Sequence, residues 1–399
     1  MDWFEELTGF AEDGYASTQQ RLQVRGDRLH SRANGRHWGI GRLETPTLAE
    51  LRQRAQATGG VPGRLTVQAI AADARALHAH PQNSGALFQV ASQFNLLEMT
   101  HYDVAPEHGV TRYQHDHTQG PACAIAAGAA TLFRNYLVPL DGELGQSRAR
   151  QFNTLADVAA ALGPDLIEMR NGYALCSQAQ LQHINQRLAA LDETAYAALQ
   201  DLLRIGLHWD VEVTIPGEGQ GQSVSQAFCS ALPVAYSPVR SASWQALACL
   251  VLEAAYEATL WAAVLNAQRG QSRNVYLTQL GGGAFGNHPD WILQAMERAL
   301  ARVADQDLTV HLVSYRNVPP ELAVLARRYC QQHIPHLAEQ VASYPNPELA
   351  AETQGSNPAI ACQPNTLMLP LLTYLPGRCL CTTGSKRCRA SGHGQLAIR

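Results

Sequence analysis

Val275-Tyr-Leu-Thr-Gln-Leu-Gly-Gly-Gly-Ala-Phe-Gly-Asn287 runs directly into His288-Pro-Asp-Trp-Ile-Leu-Gln-Ala-Met-Glu-Arg-Ala-Leu300. It reads as a buried strand that breaks into glycines and re-enters as an amphipathic helix. Gly281, Gly282, Gly283 and Gly286 free the backbone for positive φ and leave bare N–H groups open to a ligand. The helix that follows turns the positive end of its dipole toward the same point. Pro289 suits the first helical turn, and Asp290 complements the dipole. This is a layout for cradling phosphate. It carries neither the Gly-Lys-Ser/Thr of a Walker loop nor the GxGxxG spacing of a dinucleotide site, so it points to a diphosphate ligand and away from an NTPase. The competing reading is a turn whose glycines only let strand and helix pack closely.

Outward from this stretch, the 399 residues suffice for one large domain or two, and the 46% hydrophobic content is ordinary for a globular chain. A formal net charge of −4 argues against a polyanion-binding surface, so no nucleic-acid partner is expected. The N-terminus has no basic region followed by an apolar stretch, and no run is read as approaching the roughly 20 apolar residues of a membrane span. Nine cysteines, an odd number, fit reduced thiols in a cytoplasmic protein better than a disulfide framework. Near the C-terminus Cys379, Cys381, Cys388 and His393 lack the spacing of a common zinc finger, and a disordered tail from about residue 376 is expected instead.

Residues 1–62 read as a helical buttress, with a helix start in Thr45-Pro-Thr-Leu-Ala-Glu50. Leu65–Ile70 and Ala86–Ala91 are strand-like, a polar loop spans Thr100–Thr118, and Pro121 opens a helix through Tyr136. An α+β insertion is expected over about 140–225, with an Asn171-Gly172 hairpin turn, leucine-periodic helices over Ser177–Leu203 and an alternating strand from Leu207. An apolar strand near Cys229–Tyr236, an Ala-rich helix over Ser243–Gln268 and a strand over Leu308–Tyr315 follow. Alternation of strands with long helices predicts an α/β sheet covered on both faces, whose ligands sit beyond the carboxyl ends of the strands. The domain expectation is 63–320, with a C-terminal extension over 321–399.

The loop after the second strand concentrates Glu98, Asp103, Glu107 and Asp116. Carboxylates that converge repel one another, which raises at least one pKa and supplies an acid near neutral pH; otherwise they are a solvated acidic loop. The helix entry Asp116-His-Thr-Gln-Gly-Pro-Ala-Cys-Ala124 leaves room for close backbone approach at Gln119 and Gly120. Cys123 has no evident general base and reads as a packing thiol. His101, His108, His115 and His117 lack the helical i, i+4 pairing of zinc hydrolases, so the expected site holds no metal and needs no cofactor.

Phe88-Gln-Val-Ala-Ser-Gln-Phe-Asn95, the Asp116–Ala124 turn and Leu280–Asn287 together resemble the macrodomain superfamily, and more narrowly the MavL-like ADP-ribosyl hydrolases, over roughly residues 65–318. The resemblance implies a macrodomain-like mixed sheet with helices on both faces. It implies ADP-ribose as ligand, and cleavage of mono-ADP-ribose from arginine on a modified protein, with ubiquitin as the target class. By the same resemblance Gln93 and Asn95 contact ribose. Gln119 and Gly120 line the site, and Gly281, Gly282, Gly283, Ala284, Phe285, Gly286 and Asn287 wrap the diphosphate. Asp73 recognises adenine, and Glu98, Glu107 and Asp116 are the catalytic acids, with Asp103 the substitute for Glu107. The common Asn-Ala-Ala-Asn signature is replaced by Ala91-Ser-Gln-Phe-Asn95, and the Gln-Glu-Glu acid pair of poly(ADP-ribose) glycohydrolases is absent after the glycines, which speaks against polymer as substrate. The rival readings are a module that binds ADP-ribose without cleaving it and a hydrolase of free ADP-ribose derivatives.

Overall fold

Period-two burial appears over Arg28–Ser31, within the segment expected to be helical. The structure, a computed structural model, describes residues 1–329. Helices α1 (Trp3–Thr8) and α2 (Tyr15–Arg21) lead into a three-stranded antiparallel sheet of β1 (Leu22–Arg25), β2 (Arg28–Ser31) and β3 (His37–Gly39). Leu22, Leu29 and Trp38 are buried, while the paired residues Gln23, His30 and His37 occupy the opposite face. Residues 1–62 are thus α+β, not helical; the arginines on the solvent side hide the alternation. β4 (Arg42–Glu44) joins the edge of the main sheet. α3 (Leu48–Ala57) starts at a capping box in which Thr47 and Glu50 satisfy each other's backbone N–H groups.

The core follows as β5 (Thr66–Ala71), α4 (Ala74–Ala79), β6 (Leu87–Ala91), α5 (Gln119–Ala126) and α6 (Gly128–Leu132). The segment that leaves the sheet contains the hairpin of β7 (Pro139–Leu140) and β8 (Glu143–Leu144), then α7 (Ala156–Leu162), the hairpin of β9 (Glu168–Arg170) and β10 (Tyr173–Leu175), α8 (Gln178–Ala189) and α9 (Glu193–Asp201). β11 (Gly206–Glu212) and β12 (Ser223–Cys229) belong to the main sheet, so the insertion ends some twenty residues before the expected boundary near 225. The apolar strand expected near Cys229–Tyr236 lies earlier, as β12, and Val234–Tyr236 is a 3₁₀ turn. α10 (Ser241–Gln268), β13 (Asn274–Thr278), α11 (Pro289–Arg302), β14 (Thr309–Ser314) and α12 (Pro320–Arg328) complete the described chain. The expected C-terminal tail, including Cys379, Cys381, Cys388 and His393, lies outside the described residues.

The main sheet has seven strands in the order β4-β11-β12-β6-β13-β14-β5. β12, β6, β13, β14 and β5 run parallel; β11 is antiparallel to both its neighbours. One face, with Leu87, Leu277, Val310 and Leu312, packs on α10; the other, with Phe88, Tyr276 and Ile70, packs under α4 to α6. This is a mixed α/β sheet covered on both faces. α10 revises a second expectation: its 28 residues contain a window of mean hydropathy 1.5, long and apolar enough by composition to cross a membrane. Within the protein 89% of that window is buried, because α3, α8, α11 and the sheet surround the helix.

Candidate active site

Because the five strands are parallel, the segments that leave β5, β6, β12 and β13 emerge at one edge of the sheet. That edge collects Asp73, the Ser92–Met99 turn, the Ala231–Tyr236 segment and the glycine loop.

After β6 the chain leaves the ladder, and its freed N–H groups need acceptors. Met99 N–H donates to Gln93 Oε1 (2.5 Å), Leu97 N–H to Asn95 Oδ1 (3.1 Å) and Glu98 N–H to the Tyr113 hydroxyl (3.0 Å). Asn95 is completely buried, and its Nδ2 donates to Gln151 Oε1 at 2.7 Å. Gln93 and Asn95, the expected ribose contacts, therefore also fasten the turn. Gln119 acts in the same way. Its Oε1 accepts from Ala91 N–H (2.9 Å) and its Nε2 donates to Gln89 O (2.8 Å), which extends the hydrogen bonding of β6 with a side-chain amide.

Gly120 lets α5 start against the end of β6. A Cβ there would lie 2.0 Å from Ala91 O and 2.3 Å from Glu98 Oε2. The Glu98 carboxyl is thus enclosed: the residue is 5% exposed, and Oε1 has no hydrogen-bond partner. Burial pushes its pKa well above the ordinary carboxylate range, Arg134 opposes the shift, and Asp116 adds to it. Asp116 is half-buried and caps the approach to α5, with Oδ1 accepting from Thr118 N–H (2.9 Å) and Oγ1 (2.7 Å). Cys123, on the same helix, is buried, and burial raises its thiol far above the usual range, as a packing role requires.

The four acids of the loop do not all converge. Both oxygens of Glu107 accept from Arg148 N–H (2.8 and 3.0 Å) at an exposed position that ties the loop to the insertion. Asp103 pairs with Arg170 and with His101 (3.3 Å). Asp116 acts on Glu98, whereas Glu107, the other expected catalytic acid, tethers the loop to the insertion. The histidines also disperse: His108 Nδ1 accepts from Ala105 N–H, and His115 Nε2 lies 3.1 Å from Gln114 Nε2. Among the described residues no group of three or more His, Cys, Asp or Glu side chains is placed to hold a metal ion. Asp73 caps α4, accepting from Arg75 and Ala76 N–H at 2.7 and 3.0 Å, at the end of edge strand β5.

In the glycine loop two positions require glycine. Gly281 has φ +73° with a Cβ position 2.4 Å from Ala231 Cβ, and Gly286 has φ +69° with one 2.9 Å from Ala235 Cβ. The loop is closed by Gly282 N–H to Gln279 O, Gly286 N–H to Gly283 O and Asn287 N–H to Gly281 O. The N–H groups of Gly283, Ala284 and Phe285 have no acceptor among the described residues, and Gly282, Gly283 and Ala284 are exposed. Three successive free donors in an exposed loop are available to an anion. Asn287 is buried; its Nδ2 donates to Leu232 O at 2.8 Å, which fastens the loop to the segment after β12, and its Oδ1 has no hydrogen-bond partner among the described residues.

Phe285 connects the two halves of the site. Its ring lies 5.3 Å from that of Tyr173 and 5.6 Å from that of Tyr236, and Tyr173 Oη donates to Met99 O beside Glu98. Asp116 and Glu98 both act on the Tyr173 hydroxyl, which burial above all, then Tyr236, raises far beyond its usual range. Tyr173 and Tyr236 carry no motif, and the sequence reading misses them. Tyr173 arrives through the Asn171-Gly172 turn, with φ +46° and +80°, whose only signal is the hairpin itself. Two surface depressions, of 460 Å³ among α7, α8 and α9 and of 360 Å³ beside β3, lie away from these residues.

No protein-family model matches the chain, and no curated protein matches its sequence. Among solved structures the chain is similar to the poly(ADP-ribose) glycohydrolase from Thermomonospora curvata, at 16% identity and a TM-score of 0.39, covering 79% of this chain and 97% of that one. It is also similar to the Deinococcus radiodurans enzyme in complex with ADP-ribose, at 12% identity and a TM-score of 0.37, covering 80% and 98%. A third is the Thermomonospora curvata enzyme bound to the inhibitor ADP-HPD, at 17% and 0.36, covering 79% and 97%.

Proposed function

We propose that this chain hydrolyses the bond between the anomeric carbon of ADP-ribose and a protein side chain, with arginine as the linked residue and ubiquitin as a candidate carrier. The observation that carries the reading is the enclosed Glu98 carboxyl, with one oxygen unpartnered, beside Asp116 on the sheet edge that also presents the free N–H groups of Gly283, Ala284 and Phe285. Those three donors bind the diphosphate, and the Phe285 ring covers the ribose. Asp73 takes the adenine end, as the macrodomain resemblance implies.

Cleavage of the C–N bond leaves positive charge on the ribose and requires a proton on the departing nitrogen. Burial raises the Glu98 pKa and so favours its protonated form, in which it serves as the acid that delivers this proton, an effect worth roughly 10²–10⁴-fold. The Asp116 carboxylate, at the half-buried rim, stabilises the oxocarbenium charge and attracts the cationic guanidinium. Because the protonated form of Glu98 is the active one, turnover falls as pH rises through its pKa.

The test combines calorimetric titration with ADP-ribose and initial rates on matched arginine-, serine- and glutamate-linked substrates and on polymer. The expected result is binding together with a clear preference for the arginine linkage. Equal rates or a preference for serine overturn the linkage assignment, binding without any turnover leaves a module that reads ADP-ribose, and no binding overturns the site.

A further inference from the structure

Arg134 is 1% exposed, and no carboxylate forms an ion pair with it among the described residues. It lies in the single π-helical turn Phe133–Leu137, which follows α6. π turns place a side chain where a regular helix would not, and they recur at functional sites. The guanidinium donates in three directions: Nε to Leu96 O (3.2 Å), one terminal nitrogen to His208 Nδ1 (3.0 Å) and the other to Thr131 Oγ1 (3.0 Å). Its plane also rests 3.9 Å from the centre of the Phe228 ring. Since guanidinium can only donate, His208 must present its lone pair at Nδ1; burial and Arg134 hold that imidazole neutral.

Leu96, whose carbonyl Arg134 grips, has φ +65°. A left-handed leucine is strained and persists only where its surroundings hold it. Here they do. The Leu96 side chain occupies space that exists only because position 206 is glycine, where a Cβ would lie 2.5 Å from Leu96 Cδ2. Two residues later the same turn delivers Glu98.

We propose that Arg134 is the positioning residue of the acid: it holds the left-handed Leu96 turn that presents Glu98, and it supplies a buried positive charge to that turn. This rests on the functional reading above only for its catalytic consequence. The charged groups that act on Glu98 are Arg134 from the π turn and Asp116 from the segment before α5, while Glu98 in turn raises Tyr113 from that segment, Cys123 from α5 and Tyr173 from β10. Of these Arg134 alone is cationic. Burial lowers the guanidinium itself to about 10, so it remains charged at neutral pH and favours the ionised form of Glu98.

The test is the titration of Glu98, followed by ¹³C NMR of protein carrying ¹³Cδ-labelled glutamate and assigned by its loss in Glu98→Gln. Removing the cation in Arg134→Met should raise the Glu98 midpoint by about one pH unit or more, and should move the alkaline limb of turnover upward by the same amount. Arg134→Lys keeps the charge but cannot bridge three acceptors. Its midpoint should stay close to that of the unmodified protein while kcat falls about tenfold or more and KM changes little. If Arg134→Met does not fold, Arg134→Gln, which is neutral but retains a donor for Leu96 O, takes its place. An unmoved Glu98 midpoint in the folded neutral variant, or an Arg134→Lys variant with full kcat, overturns the proposal. Absence of turnover in the unmodified protein instead overturns the functional reading and leaves the NMR result to decide the role of Arg134.

Discussion

Glu98 has a consequence for stability as well as for chemistry. Its folded pKa is raised above the unfolded value, so its contribution is fully present below the unfolded pKa and is lost as pH rises through the folded one, where the enclosed carboxyl must ionise. Denaturant unfolding of the unmodified protein should show stability declining as pH rises from the ordinary carboxylate range through the folded pKa, and Glu98→Gln should flatten that decline. The same substitution should reduce turnover by about two orders of magnitude while ADP-ribose affinity changes by less than about tenfold, since it removes the proton without removing a ligand contact. A pH dependence identical in the two proteins would show that Glu98 is not held protonated. At this scale the sequence was legible in kind but not in role. The acids near the β6 turn could be named, yet only the fold separates Glu98 and Asp116 from Glu107, whose oxygens go to Arg148 N–H, and from Asp103, paired with Arg170. Asn95 and Gln93 carry the motif but act within it, because polar side chains next to unpaired backbone groups are drawn to them before any ligand arrives.

Elements with strong local signals were the most legible. The capping box of α3, the Asn171-Gly172 hairpin and the strand, glycine loop and helix of 274–302 form where their residues dictate. The β1–β3 sheet escaped because its strands are three or four residues long, too short for a periodic pattern to stand out. Within the glycine loop the four glycines are not equivalent. Gly281 and Gly286 are needed for shape, whereas a Cβ at Gly283 meets nothing within 4 Å. Gly283→Glu should therefore fold with a melting temperature within about 2 °C of the unmodified protein, since exposed substitutions away from special geometry change stability little. It would place an anion over the free N–H groups of Gly283 to Phe285, so ADP-ribose affinity should fall at least a hundredfold by calorimetry. Undiminished binding in this variant would separate the loop from the diphosphate. Gly281→Ala is the contrast, expected to lose stability through the clash with Ala231 before any question of binding arises.

Across the whole molecule the acid-bearing loop is held from two sides by segments that lie outside the central sheet. The insertion reaches it through Arg148 N–H on Glu107 and through Asn171 Nδ2, which donates to Tyr102 O at 2.7 Å. The N-terminal segment reaches it through Glu12, whose carboxylate accepts from Val110 N–H (2.9 Å), Thr111 N–H (2.8 Å) and the Tyr136 hydroxyl (2.5 Å). Gly109 leaves room for this clamp, since a Cβ there would lie 2.2 Å from Glu12 Oε2. Two residues beyond Thr111, Tyr113 accepts from Glu98 N–H, so the clamp is connected to the acid through one short 3₁₀ turn. Such long-range contacts join positions between 41 and 124 residues apart and leave no trace in local sequence pattern. Glu12→Ala leaves two buried-side N–H groups and a hydroxyl without their acceptor, and each lost partner costs roughly 1–3 kcal/mol where water cannot replace it. The expected result is local. Amide hydrogen exchange should accelerate over residues 105–116 and remain unchanged in β6, β13 and β14, because local opening is set by the contacts of the segment that opens. Turnover should fall about tenfold or more with little change in ADP-ribose affinity, as the glycine loop lies on other strands. Uniform acceleration of exchange throughout the sheet, or full turnover in Glu12→Ala, would show that the N-terminal segment does not support the site through this clamp.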